Sequence, residues 1–257
     1  MKKFRGKAAF FLFLLILGAL TVFAVRYFNK ARETEITSLE IINAGLLTPE
    51  SYEIFARDSV KTGYPGLEVL SGRLKDHPYI EDVTTEFSAG RARIYLKEKK
   101  IAAILIKGET QYMITANAVA IKLLEGTLNI DYPVIVNPAG VVNDSGKITE
   151  EGVLEALEII KAAKYIDERF GAGLSDINLR NGGEKIISFS FMKPQVIFGN
   201  GDVPRKMLRL YSLLSSEESD LKNYTGALYL DLRYDGLIFA GKMPEKEDKK
   251  DEKKKVR

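Results

Sequence analysis

Residues Ala8 to Val25 carry no charge at all, and Thr21 is the sole polar side chain among them. A helix over that run rises roughly 27 Å at about 1.5 Å per residue, close to the ~30 Å hydrocarbon core of a bilayer. Its Leu, Ile, Phe and Val side chains together favour insertion by roughly 5 kcal/mol. Lys2, Lys3, Arg5 and Lys7 precede the run with no acid among them, whereas Arg26, Lys30 and Arg32 beyond it are soon offset by Glu33 and Glu35. Basic flanks stay in the cytoplasm. The expectation is a cytoplasmic tail over 1–7, a single N-terminal transmembrane helix over 8–25, a polar linker over 26–35, and the remainder of the chain outside. The competing reading is a secretory signal cleaved near Val22-Phe23-Ala24. The apolar run is longer than the usual ~7 to 15 residues of a signal core, and Tyr27 and Phe28 stand where interface anchors belong.

The rest of the 257-residue chain is long enough for one large or two small domains with real cores. A net charge of +3, with basic residues scattered among nearly as many acids, gives no nucleic-acid footprint. The absence of cysteine removes disulfide frameworks, thiol catalysis and Cys-ligated zinc together.

Past the linker the periodicity changes. Ile36 to Asn43 reads as a strand, and Thr48-Pro49-Glu50 reads as the capped start of a helix running to about Lys61. Gly63-Tyr64-Pro65-Gly66 stops it, and Leu67, Leu70 and Leu74 space a second helix that ends before Pro78. Tyr79, Val83 and Phe87 then share one face of a strand. Ser88-Ala89-Gly90 turns the chain, and Ala92, Ile94 and Leu96 alternate with charged residues. The order strand, helix, helix, strand, strand predicts an α+β unit with both helices on one face of three strands, bounded at 36–106.

The region 107–243 is richer in strands. Tyr112–Thr115, Val119–Ile121 and Pro133–Val136 are short strand candidates. Thr149 caps a predicted helix whose stripe is Val153, Leu157, Ile160, Ala163, Ile166 and Phe170. Ile177–Leu179 and Ile186–Phe191 read as a hairpin about Asn181-Gly182, Gln195–Phe198 as a further strand, and Pro204 as the opening of a helix with Met207, Leu208, Tyr211 and Leu214. The final element is predicted as one long strand, 227–240, with Leu228, Leu230, Leu232 and Tyr234 on one side and Tyr229, Asp231 and Arg233 on the other.

Several of these stretches carry a resemblance. Leu67-Glu68-Val69-Leu70, His77-Pro78-Tyr79-Ile80 and Tyr95-Leu96-Lys97-Glu98-Lys99, in that element order, resemble the POTRA domain of the cell-division protein family FtsQ, also called DivIB. Asp231-Leu232-Arg233-Tyr234-Asp235, preceded by Val196-Ile197-Phe198-Gly199, resembles that family's closing strand. Tyr79 stands where the family usually has tryptophan, and Ile101 where proline is common. The resemblance implies a membrane anchor, a POTRA domain and a C-terminal mixed β-rich domain. It implies a non-enzymatic scaffold that recruits FtsB-like and FtsL-like partners to the septum at the outer face of the plasma membrane. It places Leu232, Arg233, Tyr234, Asp235, Gly236 and Leu237 on the partner-binding edge strand, and leaves the POTRA unit as a possible contact for other division proteins. Read from pattern alone, an alternating apolar strand is core, paired within its own sheet.

Chemistry-bearing motifs are few, and no catalytic, cofactor or metal residue is expected. His77 is the sole histidine and, beside Pro78, reads as the end of a helix rather than a ligand. Glu81-Asp82 and Glu217-Glu218 are adjacent acids that spacing alone does not make convergent. Gly171-Ala172-Gly173 and Gly199-Asn200-Gly201 lack the lysine of a phosphate loop and read as turns. Asn143-Asp144-Ser145 and Asn223-Tyr224-Thr225 fit the glycosylation triplet. The mixed-sign tail 244–257 reads as disordered. The competing functional class is a membrane-anchored cell-wall enzyme or transport accessory built on the same modules.

Overall fold

Thr48 and Pro49 start a helix as their chemistry dictates: the Thr48 hydroxyl accepts from the Ser51 N–H at 3.2 Å, and Pro49 occupies the first turn, where no N–H is needed. In the computed structural model, residues 16–23, 35–58, 63–140, 146–180, 184–216 and 227–241 are described. The chain divides into two units, Met1–Lys99 with Gly126–Asn129, and Lys100–Glu125 with Ile130–Arg257.

The first unit runs β1 (Ser38–Ile42), α1 (Pro49–Arg57), α2 (Leu67–Lys75), β2 (Ile80–Ser88) and β3 (Arg91–Glu98). The strands lie in the order β1-β3-β2, with β1 parallel and β2 antiparallel to β3. A parallel pair needs a crossover, and α1 and α2 supply it. The β2–β3 turn has positive φ at Ala89 (49°) and Gly90 (78°), the pattern of a tight hairpin turn that matches strand twist. Gly90 is doubly required, since a Cβ there would sit 2.8 Å from Thr37 Oγ1. Tyr52, Ala56, Leu70, Leu74, Tyr79 and Ile94 are fully buried between helices and sheet. Helix α1 stops at Arg57, four residues short of the expected Lys61. Asp58 turns to φ 50° and returns its N–H to the Ile54 carbonyl. Residues 126–129 join this unit, where the Leu128 N–H reaches the Leu46 carbonyl at 2.8 Å and the Thr127 hydroxyl lies 2.8 Å from that of Tyr79.

The expected single transmembrane helix over 8–25 is corrected by the structure. Among the described residues no helix is long and apolar enough to cross a membrane. Within that run the described residues are 16–23, and all of them are helical. The fold described is α+β in two units without that span. Residues 8–15 and 24–25 of the run, the tail 1–7, and all of the 26–35 linker but Glu35 lie outside the described residues. So do Asn181-Gly182, Glu217-Glu218, both glycosylation triplets, and the tail 244–257.

The second unit contains β4 (Ile101–Lys107), β5 (Thr110–Thr115), β6 (Ala120–Lys122), β7 (Val134–Val136), α3 (Glu151–Ile166), α4 (Glu168–Ala172), β8 (Leu174–Leu179), β9 (Lys185–Phe189), β10 (Gln195–Ile197), α5 (Val203–Ser215), β11 (Tyr229–Asp231) and β12 (Phe239–Gly241). Its nine strands form one mixed sheet in the order β12-β11-β10-β9-β8-β7-β4-β5-β6. Because β4 pairs with β5 and β7, Ile101–Ile106 belong to this sheet, and the boundary expected at 106 falls at Lys99. Helices α3 and α5 bury Val153, Ile159, Ile160, Met207 and Leu210 against the sheet's Leu105, Ile135, Ile177, Ile187 and Val196. The single helix expected to reach Phe170 is two. Asp167 is extended (φ −157°), and its carboxylate accepts from the Phe170 N–H at 2.8 Å, capping a new helix. The N-cap of α3 is Glu150 in place of the expected Thr149.

Candidate functional site

The predicted partner-binding residues lie at one end of the nine-stranded sheet, and local chemistry explains how the chain arrives there. After β10, Gly199 (φ 70°), Gly201 (φ 66°) and Asp202 (φ 46°) turn the backbone into α5, with Pro204 in its first turn. Lys206 anchors this turn by donating to the carbonyls of Phe198 at 3.0 Å and Asn200 at 2.8 Å, and burial pushes its ammonium below the usual lysine range. Helix α5 is the crossover that lets β11 lie parallel to β10. The Leu232 N–H then continues the ladder to the Ile197 carbonyl at 2.9 Å.

Beyond Leu232 the chain reverses. The Leu237 N–H reaches the Tyr234 carbonyl at 3.4 Å, and Gly236 has φ 78°, the positive value that favours glycine at the third position of a turn. Then β12 returns antiparallel to β11, pairing Asp231 with Phe239, Leu230 with Ala240 and Tyr229 with Gly241. The expected continuous edge strand over 227–240 is therefore a hairpin. Strand β11 is interior, between β10 and β12, and the sheet ends at β12.

This topology distributes the predicted residues unequally. Leu232 is fully buried in the core. Arg233 turns back on its own hairpin: its Nε donates to Asp231 Oδ1 at 3.0 Å, one terminal nitrogen to Asp231 Oδ2 at 2.6 Å and the other to Glu184 Oε1 at 2.8 Å. The alternation that puts Asp231 and Arg233 on one side makes this pairing possible. The guanidinium holds the Asp231 carboxyl below the usual carboxylate range against an opposing burial effect, and the same hydrogen bonds raise Arg233 above its ordinary value. Asp235 is largely exposed, with Arg205 at 3.6 Å and Arg209 at 3.7 Å. Gly236 opens onto space where a Cβ would meet nothing. Tyr234 and Leu237 are exposed, at 53% and 56%.

Residues that the sequence reading did not single out complete the surface. Phe239, 48% exposed, meets the Tyr234 ring edge-on with centroids 5.0 Å apart. The Tyr229 ring lies over Gly241, where a Cβ would fall 2.0 Å from the ring. The signal that would have found this hairpin is Asp235-Gly236, a turn pair between apolar runs. Among the described residues β12 has a strand neighbour on one side alone, so this end of the sheet presents a short edge flanked by Tyr229, Tyr234, Leu237 and Phe239.

Other polar residues are tied to the fold. Glu98 accepts from the N–H groups of Gly45 and Leu46 and, at 2.5 Å, from the Tyr52 hydroxyl; it closes the β1–α1 loop and was not singled out from sequence. Burial and Glu98 push the Tyr52 phenol upward. Glu81 and Asp82 pair with different lysines, Lys97 at 3.2 Å and Lys75 at 3.5 Å. An open groove of about 900 Å³ in the second unit passes Tyr132, Lys164, Glu168, Gly173 and Ser190. Among the described residues no group of three or more His, Asp or Glu side chains is placed to hold a metal ion. The chain matches no protein-family model and no curated protein.

Proposed function

We propose that the chain is a non-enzymatic scaffold of the bacterial cell-division machinery, of the FtsQ/DivIB kind, which acts outside the cytoplasm at the septum. It recruits FtsB-like and FtsL-like partners through the end of its nine-stranded sheet. Support comes from the strand-helix-helix-strand-strand order of the first unit, the order a POTRA domain has, followed by a strand-rich second unit. The observation that carries the reading is β12: a sheet edge with one strand neighbour among the described residues, beside exposed Tyr234, Leu237 and Phe239. Such an edge offers main-chain groups to an incoming strand, and the neighbouring side chains supply selectivity. Within the predicted set, Tyr234 and Leu237 are the exposed apolar residues offered to a partner, joined by Phe239. Arg233 acts by holding the hairpin together.

Tagged full-length protein carrying Phe239→Lys or Tyr234→Glu tests this. Lysine at 239 faces Asp231 across the hairpin, and both positions are exposed, so the thermal unfolding profile stays that of the wild type. Capture of purified FtsB-like and FtsL-like partners and septal localisation in dividing cells are both lost. Undiminished capture by both folded variants refutes the edge, and turnover of peptidoglycan or lipid-linked precursors by the wild-type chain would favour the cell-wall enzyme reading instead.

A further inference from the structure

We propose that His77 is an acid-sensitive latch of the first unit: as a neutral imidazole it ties α1 to the start of β2, and on protonation it lets go and loosens α1. The side chain is 3% exposed. Its ring meets Tyr52 at 5.0 Å, Phe55 at 4.6 Å and Tyr79 at 5.5 Å between centroids, each edge-on, so it is packed by two rings of α1 and one from the turn into β2. Its Nδ1 accepts from the Tyr79 N–H at 3.1 Å. That bond exists solely while Nδ1 carries no proton, because imidazolium has donors at both nitrogens and no acceptor.

Burial opposes a positive charge on the ring and outweighs the favourable field of Glu98. From α1 it faces the neutral Tyr52 phenol and Phe55, and from the turn the neutral Tyr79 phenol. Asp76, at the end of α2, is exposed to water. At the end of β3 the nearby charges are Glu98 and Lys99, acting in opposite directions. Glu98 is already the acceptor for the Gly45 and Leu46 N–H groups and the Tyr52 hydroxyl, and the Lys99 ammonium donates to the Pro78 carbonyl at 2.6 Å. Burial accordingly lowers the imidazole below its ordinary 6.5. The sign follows: below pH 6.5 the unfolded chain takes up a proton that the folded cage refuses. Stability from this site is complete above that pH. It falls by about tenfold in the folding constant per pH unit until the folded site itself titrates.

A chain with one histidine gives a clean test. In full-length protein labelled at histidine, the single imidazole resonance titrates below 6.5, and the Tyr79 amide and Phe55 ring shift with the same midpoint. Amide exchange across Pro49–Arg57 is then compared at pH 7 and pH 5 with that of His77→Asn, whose side-chain oxygen can accept the Tyr79 N–H without titrating. The wild type loses protection relative to the variant on acidification, by at most about tenfold for each pH unit below 6.5. A midpoint at or above 6.5, or a titration that moves neither the Tyr79 amide nor α1, overturns the latch. So do parallel pH profiles for the two proteins. If the variant does not fold, the wild-type titration and its coupling to Tyr79 decide the matter alone.

Discussion

Removing the carboxylate of Glu155 should cost the second unit far more than removing the lysine it serves. Lys185, on β9, is 2% exposed and forms an ion pair with Glu155 of α3, while its ammonium also donates to Asn200 Oδ1 at 2.9 Å. Glu155→Ala removes the carboxylate paired with that buried ammonium. Breaking a buried pair from one side costs about 3–5 kcal/mol. Glu155 keeps 22% exposure, so water softens the loss and the low end of that range, about 3 kcal/mol, applies. Lys185→Met removes the charge and keeps the length. Its β9 neighbours Ile186, Ile187 and Phe189 are buried and apolar, so the expected change is within about 1 kcal/mol of wild type in either direction. In the double variant most of the Glu155→Ala penalty disappears, a coupling of about 2 kcal/mol.

Hydrogen exchange of the full chain in urea, read by mass spectrometry, separates the two units. With a urea dependence of about 1–3 kcal/mol per molar, the midpoint for peptides covering Lys185–Phe189 drops by roughly 1 M or more in Glu155→Ala. Peptides covering Pro49–Arg57 in the first unit serve as the unchanged reference. A drop worth less than about 1 kcal/mol, the range of an exposed pair, or a double variant that equals the sum of its singles, refutes the claim that the pair is buried and coupled.

Two glycines separate backbone crowding from side-chain crowding. A Cβ at Gly171 would lie 2.6 Å from Lys164 Cα and 2.7 Å from its nitrogen, so Gly171→Ala must displace α4 and should cost about 1–3 kcal/mol in thermal unfolding. Gly241→Ala meets the far end of the Tyr229 ring, which can swing away, and its cost should stay under about 1 kcal/mol. Because Arg233 depresses the Asp231 carboxyl, the pair's contribution is present above the ordinary 3.8 and lost as pH falls through the lower folded value. Unfolding curves of wild type and Arg233→Met should therefore stand apart at pH 6 and converge below pH 3.8; a constant gap down to strong acid contradicts the pairing.

Legibility followed the range of the interactions. Thr48-Pro49, Gly66 and Ala89-Gly90 act on their immediate neighbours, and they mark the starts of α1 and α2 and the β2–β3 turn, whereas α1 ends at Arg57, before Gly63-Tyr64-Pro65-Gly66. The alternation of Ala92, Ile94 and Leu96 announces β3 because one face of that strand is buried and the other is not. What the sequence did not disclose depends on distant residues. Lys185 has the pattern of a strand residue, and its burial rests on Glu155 and Asn200, thirty and fifteen positions away. Glu98 gains its role from Gly45, Leu46 and Tyr52, across the unit. Asp167 broke a helix whose apolar stripe ran unbroken to Phe170, because stripes record burial and not continuity of the axis.

The misplaced edge has a different cause and the greater consequence. Leu228, Leu230, Leu232 and Tyr234 alternate without a gap, so period alone extends the strand through the site where Asp235-Gly236 turns it. The hairpin gives β11 a neighbour on each side and leaves a three-residue strand at the end of the sheet. Sheets limit unwanted pairing by keeping their edges short, and so brief an edge offers an incoming strand few main-chain bonds. On the proposed function, recognition at this end draws on side chains that stand clear of the fold. Phe239 and Tyr234 are held edge to face by each other, and Gly241 leaves room for the Tyr229 ring. Aromatic anchors with little freedom left to lose are the groups that dominate binding energy at interfaces. A partner gripping this surface would depend on those rings, whereas Arg233, already bonded to Asp231 and Glu184, keeps the hairpin in the shape that presents them.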